Sequence, residues 1–171
     1  MQQAGRRFGG SRSFKLTRLA LIGAGVAAAA VMMISSATAS PKQTATGTIA
    51  VTARTLVLSY RNGNDVVREL EVHRTLTGTF AGTEVSLVHN VTSPDGSQDL
   101  TVISSCNCTV EGRTGTVTFS ERATVDLNGI ITVQRKIIDA TGGLEGLRGK
   151  LYVSDPIAAP AQHYTGRYEL D

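Results

Sequence analysis

The sequence predicts an all-β protein: an eight-stranded antiparallel barrel behind an N-terminal secretory signal. Three observations carry this. Past Lys42 the apolar residues recur with period 2, the repeat of half-buried strands, with no 3.6-residue helical pattern. The runs are separated by short turn signals: "RNGND", "SPDG", "EGRTG" and an Asn128-Gly129 pair. Val, Ile, Leu and Thr dominate and there is no Trp, a composition that suits pleated, half-buried strands.

Residues 1–39 read differently from the rest. Arg6, Arg7, Arg12, Lys15 and Arg18 form a basic start without an acid, followed by 16 small or apolar residues, "LALIGAGVAAAAVMMI". "SSATAS" then places Ala37 and Ala39 in an A-x-A arrangement, completing a secretory signal peptide. The apolar run falls short of the roughly 20 residues of a bilayer span, so no stable membrane span is expected once the signal is cleaved. An uncleaved anchor is the alternative. No Cys follows the apolar run, so a lipoprotein anchor has no support. The protein is expected to be secreted or periplasmic.

The signal also accounts for the apparent basicity. The whole chain has 17 Lys+Arg and 14 Asp+Glu. Five of the cations and none of the acids precede residue 40, which leaves 12 against 14 and a net charge of −2. That balance removes the main argument for a nucleic-acid partner. After a linker over 40–45, residues 46–171 form one domain, long enough for a single core.

Strands are expected, in order, over 46–60, 66–76, 84–91, 99–110, 116–126, 130–140, 147–154 and 162–170. The first carries a bulge, because its apolar parity shifts around Arg54. No strand–helix alternation is present. Eight strands suffice to close a barrel and remove the sheet edges, and a sandwich is the other arrangement.

The stretch "DATGGLEGLRGKLYV" places Gly142, Gly143, Gly146 and Gly149 within eight residues. A phosphate loop needs a helix after its glycines, so that the helix N-terminus meets the anion. Here "KLYVSD" reads as a strand, and Gly149-Lys150 is followed by Leu151, not Ser or Thr. The glycines are therefore read as backbone positions that turn and bend the chain.

This stretch, with "EGRTGTVTF" before it and "HYTGRYEL" at the end, resembles the C-terminal half of an uncharacterised bacterial family related to the allene oxide cyclase barrel; dirigent proteins carry a similar segment. The resemblance spans roughly 46–170 and is motif-like from Glu111 onward. It implies the barrel fold and an interior able to hold an apolar molecule. It transfers no catalytic residue, since none of the cyclase's residues can be matched one by one.

Parity maps the expected interior. Val117, Phe119, Ala123 and Val125 share a face with Glu121; Ile131, Val133 and Ile137 with Arg135; Val66, Leu70, Val72 and Leu76 with Arg68 and Arg74; Val85, Leu87 and Val91 with His89. Tyr164, Tyr168 and Leu170 line the last strand. Two readings follow. Arg74, His89, Glu121 and Arg135, with Tyr168, form a polar floor that orients a ligand in an apolar cup. Otherwise they form buried ion pairs or reach water at strand ends.

Cys106 and Cys108 are the only cysteines, two apart on the apolar face of one strand. Free thiols, a local disulfide and soft-metal ligands all remain open. An exported protein favours oxidation, but extended neighbours at i and i+2 lie about 6.6 to 6.8 Å apart, the edge of disulfide geometry. No metal or cofactor motif and no catalytic triad is legible. The leading expectation is a binder of a small apolar molecule in the barrel. An isomerase or cyclase using Glu121 or His89 as acid or base is the second, and a filled barrel making surface protein contacts the third.

Overall fold

The computed structural model describes residues 40–171. The expected signal peptide lies outside these residues. Eight strands follow in order: β1 Gln43–Asn62, β2 Asp65–Gly78, β3 Ala81–Thr92, β4 Gln98–Val110, β5 Arg113–Val125, β6 Ile130–Ala140, β7 Arg148–Pro156 and β8 Gln162–Glu169. Each pairs antiparallel with the next, and β8 returns to β1, giving a closed barrel. All eight overlap the expected runs, with ends that differ by up to three residues, and β1 begins at Gln43, inside the expected linker.

β1 is irregular where expected. Its register against β2 shifts between Val51 and Ala53 and again between Leu56 and Leu58, on either side of Arg54. It pairs with β8 only over Gln43 to Ile49. Beyond Ile49 it continues against β2 alone, and every residue from Val51 to Asn62 is exposed. The barrel is thus sealed at one end and flared at the other.

The sealed end is built on Phe80. Its ring lies 5.9 Å from Phe119, 6.2 Å from Tyr164 and 5.9 Å from Tyr168, all edge-on. The Phe80 amide donates to the Tyr164 hydroxyl at 2.9 Å, and that hydroxyl donates to the Thr77 carbonyl at 2.9 Å. The glycine-rich stretch closes the same end. Gly142–Leu144 form a 3₁₀ turn that buries Leu144 completely. Gly142 and Gly146 have φ of 68° and 84°, left-handed values that glycine adopts without a Cβ penalty.

Cys106 and Cys108 form a disulfide, which decides among the three open alternatives. Their Cα atoms are 5.3 Å apart, so the strand is locally contracted. Register on both sides stays unbroken, and both partners of Cys108, Gly82 and Gly115, lack a side chain. A Cβ on Gly82 would stand 2.0 Å from the Asn107 carbonyl, and one on Gly115 would stand 2.0 Å from that of Thr141.

The same chemistry at two glycines should therefore give different losses. Gly115→Ala should destabilise by about 1 to 3 kcal/mol through overpacking against backbone. Gly146→Ala, with ordinary contacts but positive φ, should lose about 1 kcal/mol. Urea midpoints of the two variants check the order.

Candidate functional site

Strand register brings four charges to the barrel axis. Arg74 faces Glu84 across β2–β3, and Glu121 faces Arg135 across β5–β6. The two pairs meet. Arg74 Nη1 donates to Glu84 Oε1 at 3.0 Å and to Glu121 Oε2 at 3.2 Å. Arg135 Nη2 contacts Glu84 Oε2, and reaches Glu121 Oε1 at 3.0 Å. Ser104 and Ser86, opposite each other on β4 and β3, donate to Glu121 at 2.8 Å and Glu84 at 3.1 Å.

The cluster is charge-balanced and almost dry. The side chains of Arg135 and Glu84 have no exposure, that of Glu121 has 3 %, and only that of Arg74 reaches 14 %. The Arg135 guanidinium lies 4.2 Å from the centre of the Phe119 ring, a cation–π contact in a water-poor setting. Its Nε and Nη1 find no acceptor among the described residues.

Burial by itself would raise the Glu121 carboxyl, but the charges of Arg135 and Arg74 and the Ser104 hydroxyl bring it below its ordinary value. Burial works to lower Arg74, and Glu121 and Glu84 together raise it. Both groups are held charged. A carboxylate clamped between two guanidiniums is a poor proton donor at neutral pH.

Three of the five residues expected on one interior site meet in the barrel. Arg74, Glu121 and Arg135 come together inside. His89 does not: its Nδ1 lies 2.6 Å from Glu69 Oε1 on the outer face, with 45 % of its side chain exposed. β3 has the opposite parity from the one expected. Glu84, Ser86, Val88 and Asn90 point in, while Val85 and Leu87 are 43 % and 63 % exposed. The apolar alternation misleads here because the inward face of β3 carries one of the cluster's two acids, Glu84, and its partner Ser86. Tyr168 points inward but at the sealed end, away from the charges. Its hydroxyl lies 2.6 Å from Glu111 Oε1 and 3.0 Å from Gln43 Oε1. Burial, then the Glu111 carboxylate, push its phenol up to about 12.

Glu84 is the member that parity missed. Three arginines read as inward (Arg68, Arg74 and Arg135) against a single inward glutamate leave buried cations uncompensated, and that imbalance is the sequence signal that points to a second acid.

The flared end offers space. Where β1 parts from β8, a slot of about 310 Å³ opens between Ile49, Val51 and Arg54 and the connection Ile157 to Gln162. Val51, in the slot's lining, is the register partner of Arg74, the cluster member with the most exposure. Leu56 opposes Leu70, which packs against the small buried group of Val72, Val88 and Val102.

Fold and interior define an eight-stranded up-and-down barrel with a neutral ionic centre, sealed at one end. The chain belongs to the DUF3224 family of proteins of unknown function, whose pattern matches residues 45–165. It is similar in fold to the crystal structure of a DUF3224 protein of unknown function from Shewanella oneidensis MR-1. The two are 16 % identical with a TM-score of 0.64, over 77 % of this chain and 99 % of that one. No curated protein matches the chain.

Glu121→Gln removes one buried charge and strands part of Arg135 and Arg74. It should destabilise by roughly 3 to 5 kcal/mol, with partial recovery when Arg135→Met is added. Because the folded Glu121 carboxyl lies below its unfolded value near 4.5, its stabilisation is present above that pH and is lost as pH falls through the folded value. Urea titrations from pH 7 to pH 3 should show a steeper acid loss in the parent than in Glu121→Gln.

Proposed function

We propose that the protein is an exported binding barrel for a small, largely apolar molecule, which enters at the flared end. The observation that carries the reading is the departure of β1 from β8 after Ile49. It leaves the slot beside Arg54 and Val51, and it leaves the inward-facing Leu56 56 % exposed. The ligand's apolar body lies along Leu56 and Leu70. Its polar end meets Arg54 and the exposed margin of Arg74. The deeper charges serve as a rigid floor that does not take part in exchange. The resemblance to allene oxide cyclase barrels belongs to this proposal, as does export, which the acid-free basic N-terminus and the Cys106–Cys108 disulfide both support.

The isomerase or cyclase reading asks Glu121 or His89 to move a proton. Glu121 is held ionised by two arginines, and His89 lies on the outer face, so the geometry favours binding over turnover.

Native mass spectrometry of protein recovered from the extracytoplasmic fraction should find a bound apolar molecule on a chain that begins near Ser40. Arg54→Gln and Leu56→Asp, both at exposed positions, should lower occupancy about tenfold with little change in melting temperature. A bare chain in every preparation counts against the binder, and a chain that still begins at Met1 counts against export.

A further inference from the structure

The outer face holds a second concavity, on the side of the barrel formed by β6, β7 and β8. It is a groove of about 630 Å³ lined by Lys136, Lys150, Arg167 and Tyr152, with Gly149 and Gly166 in its floor. Barrel exteriors are convex, so a groove there needs a cause. A Cβ on Gly149 would stand 2.5 Å from the Arg167 carbonyl, and one on Gly166 would stand 2.1 Å from that of Lys150. Only glycine permits this close approach of β7 and β8, and the two bare positions lie directly under the groove.

The charges across it follow a single row. Lys136 faces Lys150, and Lys150 faces Arg167, on three adjacent strands. The row ends at Ser120 on β5 and Thr44 on β1, so no acid borders it in register. None of the three cations has a carboxylate within salt-bridge distance among the described residues. The one acid in the groove's lining, Glu169, is engaged by two further lining cations, Arg148 at 2.7 Å and Lys42 at 3.9 Å. Like charges placed directly opposite each other repel. Tyr152, two residues from Lys150 on the same face, is 45 % exposed and presents an aromatic wall.

We infer that this groove is a binding site for a small organic anion. The anionic head sits on the Lys136–Lys150–Arg167 row, and a planar apolar body lies against Tyr152. A polyanionic macromolecule fits less well, because the chain beyond residue 39 carries a net negative charge and the row spans only three strands.

Naphthalene-2-sulfonate is a suitable probe, with its neutral sulfonamide and inorganic sulfate as controls. Titration followed by amide NMR should move Lys136, Lys150, Tyr152 and Arg167. The sulfonamide should bind at least tenfold more weakly than the sulfonate. Lys150→Gln with Arg167→Gln should weaken the sulfonate at least tenfold while the melting temperature holds or rises, since repulsion is relieved. Tyr152→Ala should weaken the sulfonate and leave sulfate unchanged. Arg54→Gln, in the slot, should leave the groove unaffected, so the two sites fail independently. Shifts centred away from the groove, equal binding of sulfonate and sulfonamide, or an unweakened double variant would each overturn the assignment. So would heparin binding that far exceeds the sulfonate and spreads beyond these residues.

Discussion

An eight-stranded barrel encloses a volume that side chains must fill, and here the middle of that volume is filled by two ion pairs. Arg74, Glu84, Glu121 and Arg135 reach the axis from β2, β3, β5 and β6, so the cluster ties together strands that never pair directly. Taking four charges out of water is costly, and the cost is offset only when every charge is matched at hydrogen-bonding distance. Each of the four strands must therefore arrive in one register. A slip by one residue would turn a charge outward and leave its partner buried alone. The cluster specifies the fold more than it strengthens it, because an apolar centre of equal volume would satisfy the hydrophobic effect without constraining register so tightly.

The ionic centre divides the barrel interior into two regions. Toward Phe80 the interior is aromatic and closed, and Leu144 and the 3₁₀ turn cover it. On the other side β1 leaves β8 and continues as the free edge of the β1–β2–β3 sheet, exposed from Val51 to Asn62. The disulfide lies on the closed side, where Cys106 and Cys108 are both buried. The disulfide and the aromatic plug thus cluster at one end, and β1 is left without β8 at the other, the end where the proposed ligand would enter.

The strands were legible because local signals agreed: alternation, Asn-Gly and Asp-Gly turns, and glycine before strand. Glu121 and Arg135 were legible because each interrupts an otherwise apolar face. β3 was not, since its inward residues Glu84 and Ser86 are polar while its outward Val85 and Leu87 are apolar, so hydrophobic parity there reports the outer surface. His89 was carried to the wrong side by the same inversion. The Cys106–Cys108 bond was beyond reach for a different reason. Its feasibility depends on Gly82 and Gly115, distant in sequence, standing beside Cys108 on the neighbouring strands. The outer groove is equally a product of register, since Lys136, Lys150 and Arg167 become neighbours only when three strands align.

An unmatched row of cations on a convex strand surface would be held apart by its own repulsion and by water. The Lys136–Lys150–Arg167 row sits where two glycines allow β7 and β8 to approach closely, with Gly149 and Gly166 in the lining of the same groove. Three like charges on adjacent strands raise the repulsion and at the same time raise the field felt by an approaching anion. The ionic centre adds nothing to this field, because its charges cancel. Neutrality inside allows the outer face to keep an unbalanced charge pattern of its own without disturbing the interior, and the two proposed binding regions can act separately on one barrel.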